Sequence, residues 1–129
     1  MPKIFNAGEV EWTGLPFPVP SGYAWSKSDK LGEQADSRKM YFDFMSLDKG
    51  KFSYPYHFHR NTEELFVIIS GRAVLRSPNG FQNVGPGDVI FMEMGEAGAH
   101  QLFNDQDEPC VYLDIRLRVD PDVVEYPDS

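Results

Sequence analysis

The sequence predicts an all-β protein, a sandwich or barrel of short strands. Runs of aromatic and β-branched residues alternate with turns rich in glycine, proline and asparagine, at a spacing of about 8–12 residues. The chain holds 10 Phe, 6 Tyr and 2 Trp, residue types that favour strands. No long segment shows a convincing helical period.

The predicted strands occupy the middle and the later part of the chain. In order they are Met40–Leu47, Phe52–His59, Leu65–Ile69, Arg72–Ser77, Phe81–Val84, Val89–Met94, His100–Asn104 and Val111–Val119. The dipeptide at 79–80, Asn-Gly, is a hairpin signal, and Gly-Asp at 87–88 predicts a tight turn with positive φ at the glycine. The run 65–69 is nearly continuous in apolar residues, which predicts a strand covered on both faces.

A length of 129 residues predicts one domain with its own core. We divide the chain into an N-terminal arm (1–35), a β-barrel domain (36–119) and a C-terminal tail (120–129). Within the arm, Leu15–Pro20 alternates proline with apolar residues, which predicts extended chain along a sheet edge of its own or a second subunit. The polar stretch Ser26–Asp36 predicts a surface loop, and the acidic tail is expected on the surface.

The formal net charge of -8 argues against nucleic acid or an anionic membrane as the main partner. A single cysteine, Cys110, excludes an intramolecular disulfide and fits a reducing compartment. Because Cys110 lies in a strand-like run, we expect a buried, inert thiol. The N-terminus shows no signal-peptide pattern and the longest apolar run is far too short to span a membrane, so we expect a cytoplasmic protein.

The three histidines of the chain fall in one pattern. His57 and His59 are two residues apart, so on a strand both rings point to the same face. Glu64 follows across a short polar segment, and His100 begins a later strand-like run. Three imidazoles and one carboxylate are a suitable ligand set for a divalent transition metal such as iron, manganese, zinc or nickel. Packing and polar contacts are the alternative role for these residues.

The stretch that carries the histidine pair resembles the first motif of the cupin family. That motif is a glycine, H-x-H, three or four residues, a glutamate, six residues and a glycine, matched here by Gly50, His57, His59, Glu64 and Gly71 with one extra residue before His57. The family spacing also admits Glu63 as the carboxylate. Glu64 fits better because six residues then separate it from Gly71.

A second stretch is similar to the second cupin motif, with Gly87, Gly95, His100 and Asn104 as its members. Here Glu93 replaces the usual proline, and the loop from Gly95 to His100 is two residues longer. The ending Glu-Tyr-Pro-Asp-Ser is similar to that of a group of small single-domain cupins.

The resemblance implies a double-stranded β-helix, or jelly-roll barrel, with one metal held inside near an open end. By analogy with the family, His57, His59, Glu64 and His100 would be the ligands, and Asn104 would be structural. Small acidic cupins are commonly dimers, so the resemblance also implies a homodimer. The aromatic and proline-rich arm 1–25 is poorly able to bury its apolar residues alone, which supports that expectation.

Several further residues are candidates for lining a pocket around the metal. Tyr54 and Tyr56 precede His57, with core packing as the alternative for at least one of them. Arg60 is a candidate anion ligand, or else a solvated loop charge. Three more are Glu93, Tyr112 and Arg116. Tyr112 and Arg116 alternate with Asp114 along the last strand, so the three share one face.

Four protein ligands leave one or two positions open on a metal that prefers five or six. We therefore expect a metal-binding cupin that acts on a small polar or acidic molecule, with isomerase- or dioxygenase-type chemistry. The alternative is a non-catalytic small-molecule-binding or sensor cupin. Fold alone does not separate the two, because one fold hosts many functions.

Overall fold

The computed structural model describes residues 1–14, 22–23 and 25–129. Within these residues the chain forms short strands joined by turns, one short helix, α1 (Leu31–Gln34), and a 3₁₀ turn at Glu96–Gly98. The strands are β1 (Trp25–Lys27), β2 (Met40–Leu47), β3 (Phe58–His59), β4 (Glu64–Ser70), β5 (Ala73–Ser77), β6 (Gly80–Val84), β7 (Val89–Met92), β8 (Gln101–Phe103), β9 (Cys110–Leu117) and β10 (Val124–Glu125).

The strands form two main sheets and a two-stranded ribbon. The larger sheet has the order β1-β2-β9-β4-β7, the smaller has the order β6-β5-β8, and the ribbon is β10-β3. Every pair of named strands is antiparallel. The predicted all-β jelly-roll class is therefore confirmed.

Residues from the inner faces of both sheets make the core. The larger sheet contributes side chains such as Leu47, Phe66 and Tyr112, and the smaller sheet contributes Leu75 and Leu102. Because side chains alternate across a strand, each strand gives its even or odd positions to this core. The two sheets enclose the core at one end and a cavity at the other.

The hairpin between β5 and β6 is confirmed. Ser77 pairs with Gly80 in the register of the two strands. The loop residues are therefore Pro78 and Asn79, and Gly80 takes a φ of 103° at the start of β6. Gly87 likewise takes a φ of 90°, as its turn required.

Strand β4 confirms the apolar run as a strand but corrects one expectation. Phe66 and Ile68 are buried in the core, whereas Ile69 is 41% exposed. Only one face of β4 is fully covered, and the side chains on its other face are half-buried or exposed. The apolar residues on the second face are partly shielded by the flanking strands β9 and β7.

The prediction of a surface loop for residues 26–36 is wrong, because this stretch holds most of β1 and the whole of α1. Asp43 on β2 accepts hydrogen bonds from the Ser28 hydroxyl (2.7 Å) and from the Leu31 backbone N–H (3.1 Å). Ser28 and Leu31 are buried. The Asp43 carboxylate thus helps to hold a polar segment against the larger sheet, together with the pairing of β1 with β2.

The tail at 120–129 runs along the barrel. Its strand β10 pairs with β3, with Val124 opposite His59, and Asp128 forms an ion pair with Arg76. The predicted arm residues Leu15–Pro20 lie outside the described residues. Among the described residues, no helix has the length and apolar character needed to cross a membrane.

Candidate metal centre

The three histidines come together where β3 meets the start of β8. His57 and His100 sit opposite each other in an antiparallel bridge, with backbone hydrogen bonds of 3.3 Å and 2.9 Å between them. Their rings lie 4.5 Å apart, centroid to centroid. His59, two residues further along, places its ring 5.2 Å from that of His57. Strand alternation therefore delivers both rings of the pair to the same side.

Glu64, the first residue of β4, approaches from the larger sheet. One potential ligand atom from each of His57, His59 and Glu64 lies within 4.8 Å of the others. His100 adds its Nε2 at 3.2 Å from Glu64 Oε1, and His59 Nε2 lies 3.5 Å from the same oxygen. All four side chains are buried. Glu63, the rival carboxylate, is exposed.

Two of the histidines have a fixed tautomer. The Nδ1 of His57 lies 2.8 Å from the carbonyl oxygen of Pro55, and the Nδ1 of His100 lies 2.8 Å from that of Gly98. A carbonyl can only accept a hydrogen bond, so Nδ1 carries the proton in both rings. Each neutral ring therefore presents a lone pair on Nε2.

The tautomer of His59 is likewise fixed, in this case by the side chain of Asp122. Its Nδ1 lies 2.6 Å from Asp122 Oδ2. The pKa of Asp122 is lowered, because the hydrogen bonds from His59 and from the Asn61 backbone outweigh the effect of its burial. An ionised carboxylate only accepts, so His59 Nδ1 is also the donor and Nε2 faces Glu64.

Two buried atoms at the centre of this cluster lack a hydrogen-bond partner among the described residues, Glu64 Oε1 and His100 Nε2. The neutral His100 ring places a lone pair opposite a carboxylate oxygen at 3.2 Å. Two acceptors at that distance repel each other unless a proton or a cation lies with them. The donor set, three imidazole nitrogens and one carboxylate, fits a divalent transition metal.

The pKa values of His57 and His59 shift in opposite directions. Burial, and then the nearby His100, lower the pKa of His57 to about 4. At neutral pH this ring is therefore neutral and able to coordinate. Burial would lower the pKa of His59, but the neighbouring carboxylates of Glu64 and Asp122 outweigh that effect and raise it.

Glu64 and Asp114 form a buried carboxyl pair. Burial alone would raise the pKa of Glu64, but its neighbours Asp114, His100 and His59 hold it well below its usual value. Burial and the charge of Glu64 raise the pKa of Asp114 well above its usual value. The proton of the pair therefore stays on Asp114 and leaves Glu64 ionised.

A cavity of about 400 Å³ opens above the cluster. It is lined by the candidate residues Tyr54, Tyr112 and Arg116, and Asp114 shares their face of β9. Arg116 pairs across the sheet with Glu64, so both side chains belong to the inner face.

The structure places three other candidates outside this cavity. Tyr56 packs under the Arg76 guanidinium, 4.0 Å from its ring centroid. Arg60 is exposed and forms an ion pair with Glu125. Glu93 is exposed at the far side of the loop that leads to His100. Tyr56 and Arg60 thus contact other charged side chains, and Glu93 faces solvent.

The family model described as "Cupin domain" matches residues 43–116, more than half of the chain. The chain is a cupin. No match is found among proteins of curated function.

Solved structures of other cupins resemble this one over nearly its full length. A protein from Acidithiobacillus ferrooxidans, provisionally named a sugar phosphate isomerase, is 29% identical with a TM-score of 0.85, over 97% of this chain and 81% of that one. A sugar phosphate isomerase of the cupin superfamily from Silicibacter pomeroyi is 24% identical with a TM-score of 0.84, over 99% and 83% of the two chains. A polyketide cyclase from Streptomyces resistomycificus is 22% identical with a TM-score of 0.77, over 98% and 86%.

The site of this cupin includes residues that the sequence did not single out. From the N-terminal side, Lys27 and Lys30 reach the cavity, and from the tail Tyr126 lines it. Asp122 contacts His59 across 63 residues of sequence. Lys27, Lys30 and Asp122 lie in no motif, and Tyr126 belongs to the Glu-Tyr-Pro-Asp-Ser ending, to which no site role was assigned. Their places at the site depend on the pairing of β1 with β2 and of β10 with β3.

Proposed function

We propose that this cupin is a metal-dependent enzyme that isomerises a small phosphorylated or acidic sugar. The ligands would be His57, His59, Glu64 and His100, which hold one divalent transition metal. The observation that carries the proposal is the meeting of unpartnered lone pairs on Glu64 Oε1 and His100 Nε2 at the cavity floor. A cation satisfies both at once.

A proton is the competing explanation for these lone pairs. An imidazolium at His59 would donate to Asp122 and to Glu64 together. It would leave His57 as a neutral buried acceptor whose pKa of about 4 resists protonation. Three inward-facing Nε2 atoms around one carboxylate are therefore better matched to a metal than to a single proton.

Cationic side chains in the cavity favour an anionic substrate. Arg116, Lys27 and Lys30 all line it. Arg116 forms no ion pair with any carboxylate in the described part of the chain and stacks on Tyr41, 4.7 Å from the ring centroid. A guanidinium held by an aromatic face suits a phosphate or carboxylate group. The name of the Acidithiobacillus protein, the more similar of the two isomerase-named structures, points to the same class of substrate.

A bound divalent metal would polarise a carbonyl oxygen of the substrate. The chain's own residues bind and orient it. Tyr54 and Tyr126 lie beside the His57 ring, at 5.3 Å and 6.1 Å between centroids. Burial and a hydrogen bond to Tyr54 raise the pKa of Tyr126 to about 12. Its hydroxyl therefore stays protonated at neutral pH and can donate to a substrate oxygen.

The metal is tested by elemental analysis of protein purified without a metal-affinity tag. We compare the wild type with Glu64→Gln and with the neighbouring Glu63→Gln, which removes an exposed charge. The expected result is about one equivalent of metal in the wild type and in Glu63→Gln, and a large loss in Glu64→Gln. Equal metal in all three proteins, or none in any, would overturn the proposed centre.

The reaction is tested with a panel of aldose and ketose phosphates and their unphosphorylated sugars. We expect turnover that a chelator abolishes, with Arg116→Gln raising KM for the phosphorylated substrate more than for the plain sugar. Consumption of O₂ with an acidic substrate would instead assign oxygenase chemistry. Tight binding without turnover would assign the non-catalytic sensor or binding role.

A further inference from the structure

Asp122, in the C-terminal tail, touches the candidate metal centre directly. Its Oδ2 accepts a hydrogen bond of 2.6 Å from His59 Nδ1, while its Oδ1 accepts one of 3.2 Å from the Asn61 backbone N–H. The side chain of Asp122 is 15% exposed. The carboxylate is thus largely shielded from solvent, and each of its oxygens accepts a hydrogen bond.

Among the three histidines, His59 alone has a side chain as its Nδ1 acceptor. The Nδ1 acceptors of His57 and His100 are the carbonyl groups of Pro55 and Gly98, each only two residues away in sequence. These two rings are therefore oriented by their own loops. The orientation of His59 instead depends on a group brought by a distant segment.

The tail has other contacts with the barrel besides this carboxylate. The backbone of Arg60 donates a 2.8 Å hydrogen bond to the Val123 carbonyl, and the Asn61 side chain donates one of 2.8 Å to the Pro121 carbonyl. Further along, Asp128 accepts two hydrogen bonds from Arg76, of 2.6 Å and 3.1 Å. The contact of Asp122 with His59 is therefore one of several that hold the tail, and the one among them that reaches a histidine side chain.

We propose that Asp122 is a positioning residue of the metal centre, which fixes the tautomer and the ring orientation of His59 from the C-terminal tail. A carboxylate on Nδ1 keeps the proton there and leaves Nε2 free to coordinate. It also makes the ring a stronger ligand than a carbonyl acceptor would. This inference rests on the proposed metal site.

The test compares Asp122→Asn and Asp122→Glu with Asp128→Asn, a matched control that removes a tail carboxylate hydrogen-bonded to Arg76 and not to a histidine. Two quantities are measured: the Kd for Zn²⁺ by competition with a chromogenic chelator, and the tautomer of His59 in metal-free protein by NMR of the imidazole nitrogens. We expect Asp122→Asn to raise the Kd about 10–100-fold and to deplete the Nδ1–H tautomer of His59. Asp128→Asn should leave both unchanged, and Asp122→Glu should restore part of the affinity.

The outcomes separate the two proposals. Equal effects of Asp122→Asn and Asp128→Asn would reduce Asp122 to a tail anchor, and no effect of either would also overturn the positioning role. If the wild type binds no Zn²⁺, the metal site fails, and the NMR measurement alone decides whether Asp122 sets the tautomer. A His59 tautomer that is the same in wild type and Asp122→Asn would then refute the inference.

Discussion

His100 Nε2 and Glu64 Oε1 lie 3.2 Å apart although they come from opposite sheets of the barrel. Glu64 begins β4 of the larger sheet, and His100 immediately precedes β8 of the smaller one. Neither atom has a hydrogen-bond donor among the described residues. The two sheets therefore meet at a point where both offer only acceptors.

Removing one imidazole should remove most of the metal. We expect His57→Ala and His100→Ala each to lose most of the bound ion while keeping the barrel, because the hydrophobic core is built from other side chains, of which Phe66 packs against the His100 ring. Elemental analysis gives the metal content and circular dichroism the fold. Unchanged metal in both variants would show that the proposed ligand set is wrong.

The metal-free protein should lose stability as the pH falls from about 6.5 to 4. The folded chain binds the His57 proton only near pH 4, whereas the unfolded chain binds it near 6.5. Between these values the unfolded state takes up more protons, so the free energy of unfolding falls by up to ~1.4 kcal/mol per pH unit from this residue. Above pH 6.5 its contribution no longer changes.

His59 acts in the opposite direction, because its raised pKa favours the folded state at low pH and this benefit disappears as the pH rises through that pKa. Urea unfolding of metal-free wild type and His57→Gln across this range isolates the His57 part. The variant should show a shallower loss towards pH 4. Equal slopes would mean that His57 is not shielded from water.

The single thiol should be inert in the native protein. Cys110 is fully buried, and burial raises its pKa to about 11. The reactive thiolate is therefore scarce at pH 8. We expect a thiol reagent to label Cys110 only after unfolding in denaturant, and rapid labelling of native protein would contradict the buried position at the start of β9.

Gly71 and Gly50 share a backbone conformation but differ in their surroundings. Their φ angles are 74° and 75°, yet a Cβ on Gly71 would lie 2.2 Å from the Pro109 carbonyl oxygen, whereas a Cβ on Gly50 would meet nothing within 4 Å. Alanine at position 50 should cost about 1–2 kcal/mol of left-handed strain. Gly71→Ala should cost clearly more in urea unfolding, and equal costs would show that the turn can move away from Pro109.

The homodimer remains a prediction that light scattering can check. It was inferred from the arm and from the resemblance to small acidic cupins. We expect twice the mass of 14.7 kDa at micromolar concentration. A monomer at that concentration would remove the idea.

The sequence alone predicted those features that depend only on residues close together in the chain. The Asn-Gly signal at 79–80 located a hairpin, and the period of two put His57 and His59 on one side. The spacing to Gly71 favoured Glu64 over Glu63, and Glu64 is the buried one. These features depend on turn chemistry and side-chain alternation, which are local.

The features that escaped prediction depend on contacts distant in sequence. Ser26–Asp36 is mostly polar, so nothing in it reveals that Asp43 on β2 would satisfy its buried groups. Asp122 is one acidic residue among several in the tail. Its contact with His59 follows only from the pairing of β10 with β3, which no pattern within the tail encodes.

The spread of the candidate ligands over both sheets has a thermodynamic consequence. An ion held by Glu64 and by His100 would act as a cross-link between the two halves of the barrel. It would bind the folded chain and not the unfolded one, adding about 2.7 kcal/mol to the free energy of unfolding at a concentration 100 times its Kd. The melting temperature of this cupin would then report the free metal concentration around it.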